Sequence, residues 1–176
     1  MPPATPTAFP TPTPTPGRKH PSVTGGGWIE SPPGAYAADP ALVGPATFGL
    51  VARYKRGVAL PTGNIQFHLG GARLQLHATA YESLEIEGAR ATLQGLGTLR
   101  EAAGKGGGNK SSRQARFLVS VVDGQLDGSG VDRFRIKIWD LDAENAVVYD
   151  SQLGALDDAG PTTPLGGGSI VIHTEK

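Results

Sequence analysis

Asp123, Asp127 and Asp132 fall within the run DGQLDGSGVD, and Asp140 and Asp142 follow at the next turn. Carboxylates gathered in a glycine-rich loop are the usual material of a weak extracellular calcium site, because calcium takes several oxygen ligands from flexible chain. The 1-3-5 ligand spacing of an EF-hand loop is missing, and Asp-Gly pairs are also ordinary turn formers. The run therefore reads as a structural calcium site on Asp123, Asp127 and Asp132, or as plain turns.

Other constellations carry less chemistry. Arg133, Arg135 and Lys137 share a strand face with Trp139, resembling a platform for a polyanion or a sugar. Glu85 and Glu87, on another strand's wet face, are their expected acidic partners. Trp28, Trp139 and the wet-face tyrosines are the aromatic side chains available for contact with a glycan. His68 and His77 share the wet face of one hairpin, but the expected pairing separates them by roughly 13 Å along the strands. Zinc holds its ligands at ~2 Å from one centre, so that pair does not share an ion. No GxSxG, HExxH or phosphate-cradling loop occurs, and the carboxylates cluster in turns, so no enzymatic activity is expected.

The segments that must position these residues alternate with period 2. Phe48, Leu50, Ala52 and Tyr54 alternate with polar or small residues, as do Ile65, Phe67 and Leu69. From Leu74 to Glu87 one parity holds Leu74, Leu76, Ala78, Ala80, Leu84 and Ile86, and the other holds Gln75, His77, Thr79, Tyr81, Ser83, Glu85 and Glu87. No helix places such a set on one face. With Phe117 to Val121, Phe134 to Ile138, Ala146 to Val148, and Ile170 with Ile172, roughly nine strands result. An all-β fold is expected, an antiparallel β-sandwich or jelly-roll-like domain with an extended arm. Gly70-Gly71 reads as a two-residue hairpin turn that sets Phe67 against Leu74 and Ile65 against Leu76. Residues 100–114 read as a flexible polar loop, and 140–145 as a further hairpin. Gly25-Gly26-Gly27 and Gly166-Gly167-Gly168 echo each other, which makes the first and last strands expected neighbours.

Two unlike pieces of chain meet near residue 24. Residues 1–24 hold eight prolines and six threonines, an arm, and 25–176 form a single domain. The Thr-Pro alternation favours polyproline II and makes Thr11, Thr13 and Thr15 candidates for O-glycosylation. An arm of about 20 residues reaches on the order of 60 Å. In an extended Thr-Pro repeat the threonine N–H groups all point to one side, so the arm can pair along one sheet edge but not two. Phe9 is its one large apolar anchor, and Phe9, Thr11, Thr13 and Thr15 are the expected docking residues.

Composition narrows the function classes. The chain has 16 basic and 16 acidic residues. Without Arg18 and Lys19 the globular part carries 14 basic against 16 acidic, far from the basic footprint of a nucleic-acid binder. With no cysteine there is no disulfide framework, thiolate metal site or cysteine nucleophile. A domain of this size folds without covalent staples, so export is compatible with that absence. No run reaches the ~18 apolar residues of a membrane span. The start MPPATPTAFP has neither an apolar core nor a charged leader, so an exported form is expected to have lost its leader elsewhere.

Together, GGGWIESPPGAY, FGLVARYKRG, PTGNIQFHL, DRFRIKIWD, VVYD and PLGGGSIVIHT resemble the β domain at the C-terminal end of many bacterial secreted proteins, often after a choice-of-anchor P region. The resemblance runs over about residues 24–174. It implies a secreted or surface setting and brings no catalytic residue with it. Here the domain follows a Thr-Pro arm alone instead of a large upstream protein. The expectation is a non-catalytic extracellular structural module, self-assembling into a surface polymer or filament through its arm. A carbohydrate- or matrix-binding module on a rigid stalk is the alternative, and calcium is the one cofactor weighed.

Overall fold

The computed structural model describes residues 20–103 and 108–174. Among the described residues nine antiparallel strands form one sheet: Ser22–Ser31 (β1), Gly44–Arg53 (β2), Thr62–Leu69 (β3), Leu74–Glu87 (β4), Arg90–Ala103 (β5), Gly108–Val122 (β6), Arg133–Asp140 (β7), Ala146–Asp150 (β8) and Gly167–His173 (β9). The spatial order is β8-β7-β6-β5-β4-β3-β2-β1-β9, a meander in which only β9 departs from chain order by returning beside β1. The fold is all-β and sandwich-like, as the alternation requires. The arm residues Phe9, Thr11, Thr13 and Thr15 lie outside the described residues. The first strand begins at Ser22 with Val23 fully buried, three residues inside the stretch read as arm.

The sheet curls until its inner face meets itself. Phe48 of β2 stacks on Phe134 of β7 with ring centroids 3.9 Å apart, and Phe67 of β3 meets Tyr149 of β8 at 4.9 Å. The inward parity of each strand, including Leu50, Ile65, Leu76, Leu93, Val119 and Ile136, fills the space between these walls. The glycine echo is explained by pairing of β1 with β9. A Cβ on Gly27 would stand 2.1 Å from the Gly167 carbonyl oxygen, and Gly168 has φ +103°, so the two backbones meet only because neither carries a side chain.

Edges are closed piecemeal. The outer edge of β8 pairs with the segment after β1, Ala37 N–H donating to Val148 O and Asp150 N–H to Ala35 O. The free part of β7 takes the segment before β9, Phe134 N–H donating to Thr163 O and Leu165 N–H to Asp132 O. On β9 itself side chains stand in for a strand. The Asp132 carboxylate accepts from Ile170 N–H at 2.7 Å and from Gly124 N–H at 2.7 Å. Asp123 accepts from Ile172 N–H at 3.0 Å and from Gln125 N–H at 3.0 Å.

Four local expectations are corrected. The β3–β4 register places Phe67 opposite Leu76 and Gln66 opposite His77, two residues from the expected pairing. The connection is a 3-10 turn over Gly70–Ala72 followed by Arg73 at φ 51°, not a two-residue turn. In β4, register shifts between Ala78 and Ala80 and between Tyr81 and Ser83 turn Ala80 outward and Tyr81 inward, where its ring meets Phe117 edge-on. Most of 100–114 is strand, since β5 runs to Ala103 and β6 starts at Gly108.

Two outcomes follow from this closure. Replacing Asp132 by Ala, or Asp123 by Ala, leaves a β9 N–H without its acceptor and should cost about 1.5–3 kcal/mol each in urea unfolding; unchanged midpoints would remove the closing role. Tyr149 is fully buried, and its hydroxyl is pushed up to about 12 by that burial, with the nearby Asp150 charge adding and the Ser31 hydrogen bond opposing. A tyrosine near 10 when unfolded then gives stability that is complete below pH ~10 and lost as pH climbs through the folded value, worth about 2–3 kcal/mol. Burial also raises Tyr81. Tyr149→Phe should therefore remove most of the alkaline loss seen by urea unfolding at rising pH, and an unchanged slope would contradict this.

Candidate functional site

The outward face of β2 to β5 is a polar trough of ≈720 Å³. Cross-strand pairing builds it in two parallel rows. One row runs Trp28, Thr47, His68, Gln75, Arg100 from β1 to β5, and the next runs Gly26, Gly49, Gln66, His77, Thr98. His68 and His77 are diagonal neighbours in these rows, about 7–8 Å apart at their Cα atoms, closer than the expected register allowed. Among the described residues no group of three or more His, Asp or Glu side chains is placed to hold a metal ion.

Trp28 pairs with Thr47, but its ring lies on the β9 side, resting against the backbone of Gly166 and Gly167, with 39% of its surface exposed. Trp139 is on β7, with five strands between it and β1. The two tryptophans do not form one glycan platform. Lys137 Nζ lies 4.8 Å from the Trp139 ring centroid, so that ring already has a cationic partner.

The stripe expected to present free cations is covered. Arg135 is fully buried beneath residues 151–160 and donates to the carbonyls of Leu156 (2.6 Å) and Ala155 (3.2 Å), with Asp150 Oδ2 at 3.4 Å. Lys137 pairs with Asp157 at 2.7 Å, and Arg133 with Asp127 at 3.0 Å. Arg90 reaches the same loop, donating to the Asp158 carbonyl at 2.8 Å. These partners are Asp127, Asp150 and Asp157, not Glu85 and Glu87. The basic stripe is a clamp for the loop that precedes β9.

Asp123, Asp127 and Asp132 are brought to one loop but to separate tasks. Asp123 and Asp132 hold the β9 edge. Asp127 accepts from Ser129 N–H at 2.8 Å, and the Ser129 contacts, then Arg133, hold its carboxyl below the usual range. A calcium ion would have to compete with these N–H donors for the same oxygens. At the far end of β5, Glu101 joins Tyr36 and Arg113, and Arg113 also meets the buried Asp140. This network ties the β5–β6 hairpin to the segment after β1.

Sequence reasoning placed His68 and His77 on a wet face but in a register two residues off, so the rows that join them to Gln66 and Gln75 were missed. Arg100 was assigned to a loop, though its alternation with Leu99 was the available signal. Among the described residues no helix is long and apolar enough to cross a membrane. No protein-family model, curated protein or solved structure matches the chain.

Arg135→Ala would strand an uncompensated Asp150 and two loop carbonyls, a change that costs about 3–5 kcal/mol in comparable buried pairs. Limited proteolysis should then cut within 151–162, and Arg135→Lys should not restore protection because an ammonium lacks the planar fork. A protected loop in Arg135→Ala would show that the clamp lies elsewhere.

Proposed function

We propose that this chain is a non-catalytic structural module of a cell surface or extracellular filament, in which the Thr-Pro arm of one copy adds as a strand to the sheet of the next. One observation carries the reading: a length of β4 lies without a strand partner close to where the arm begins. β3 and β4 pair from Leu69–Leu74 only as far as Gln66–His77. Beyond that point, the described residues give β4 no strand on the β3 side. Its Leu84 N–H and carbonyl are met instead by the Tyr54 hydroxyl, at 3.3 and 3.1 Å.

The position suits the arm. Ser22, the first residue of β1, pairs with Arg53, which in turn pairs with Thr62 at the start of β3. The chain before Ser22 therefore leaves the domain at the end where β3 and β4 diverge. An added Thr-Pro strand presents N–H groups at every second residue to one edge only, and β4 offers one edge. From Thr11 to Thr15 such a strand covers about 13 Å. Strand addition uses main-chain hydrogen bonds for affinity, and a head-to-tail contact that does not close makes an open polymer. The resemblance to domains of bacterial secreted proteins points to the same extracellular setting.

The test uses electron microscopy and a cross-link. The full chain should form filaments and a version lacking residues 1–21 should not; filaments from the shortened chain would contradict the arm's role. The chain contains no cysteine, so Thr13→Cys in one copy and Glu85→Cys in another can be mixed cleanly. A disulfide-linked dimer is expected, whereas linkage only within a chain carrying both changes would show that the arm folds back on its own domain.

A further inference from the structure

Several glycines in this sheet are required by packing, and two on the outward face are not. A Cβ at Gly27, Gly63 or Gly168 would come within 2.1 Å of a backbone oxygen. At Gly49, by contrast, a Cβ would meet nothing within 4 Å, and at Gly26 only the Phe48 carbonyl oxygen at an ordinary 3.5 Å. Neither has a positive φ. Gly26 and Gly49 are directly paired across β1 and β2, and a strand glycine normally costs stability unless something must approach its backbone. Among the described residues no such group stands at this pair. The bare floor they leave runs straight into the polar trough.

The walls of that trough indicate the chemistry of what approaches. Gln66, Gln75 and Thr98 offer both donors and acceptors, the pattern that matches vicinal hydroxyls. Among the described residues, Arg100, His68 and His77 are the titratable groups lining it, and no carboxylate does. One fixed cation is far short of what a phosphate backbone requires for binding. Four strands span about 14 Å, enough for two or three sugar rings.

We infer that the Gly26–Gly49 floor and the trough beside it form a binding site for an acidic, uronate-bearing polysaccharide, with Arg100 meeting the carboxylate and the amide side chains meeting ring hydroxyls. The site lies on the outward face, reaching the Gln66–His77 pair where β3 and β4 part, and does not depend on the arm.

Affinity electrophoresis of the full chain tests it, with polygalacturonate as the acidic probe and dextran as the neutral one. The native protein should be retarded by polygalacturonate and not by dextran. Arg100→Gln should weaken retardation about tenfold, as expected for loss of one charged hydrogen bond. Gly49→Thr should weaken it at least as much while leaving the unfolding midpoint equal or higher, since threonine suits an open strand position. That combination separates a binding floor from a damaged fold, and Arg100→Gln serves alone if Gly49→Thr fails to fold. No retardation, equal retardation in dextran, or variants that bind like the native protein would overturn the proposal. So would variants that lose filament formation but keep retardation, because the trough would then be a contact between copies.

Discussion

A sheet of nine strands curled on itself must dispose of two edges, and the rest of this molecule follows from how it does so. Unpaired N–H and carbonyl groups buried in a seam cost too much to leave, and left exposed they recruit other chains. At β9 the solution is two carboxylates: Asp123 and Asp132 take the Ile172 and Ile170 N–H groups that a neighbouring strand would take. Each also accepts from the backbone of its own loop, which fixes that loop against the edge it covers. The β9 seam is thereby closed by hydrogen bonds without a further strand.

Closure of that kind has a consequence on the opposite flank. The short segments 35–37 and 163–165 cover β8 and β7, and the Arg135 and Arg90 clamps hold the intervening loop flat. Covered edges and clamped cations leave little of that side for a partner. What stays available is the β4 edge, where one tyrosine hydroxyl substitutes for a strand, and the trough over β2 to β5. The first suits chain addition and the second suits a stretch of acidic polysaccharide. Both uses draw on a rigid sheet, and neither calls on a reactive side chain.

Much of this was legible in the sequence because burial follows parity. Phe48, Leu50, Ile65, Phe67, Phe134 and Ile136 could face only one way, and the glycine triplets at 25–27 and 166–168 announced the β1–β9 contact. Register was not legible. A shift of two residues at the β3–β4 turn keeps every side chain on its own face, so matching apolar with apolar could not tell Phe67–Leu74 from Phe67–Leu76. The bulges that turn Tyr81 inward reverse parity twice and leave the residues on either side looking regular. Arg135 shows a third limit. Its position is outward on β7, and it is buried only because residues 151–160, the loop that follows β8, fold over it. The aspartates were visible as a cluster, but their partners are backbone amides of β9, and no side-chain pattern reports those.

Amide hydrogen exchange, read residue by residue, tests the uneven closure most directly. Ile170 and Ile172 should exchange as slowly as the interior strands, since a carboxylate holds each N–H. With residues 1–21 removed, Ile86, which by alternation faces the same side as Leu84, should exchange far faster than either. Fast exchange at Ile170 and Ile172, with Ile86 protected in the shortened chain, would contradict the account: β9 would be the open edge and β4 the closed one.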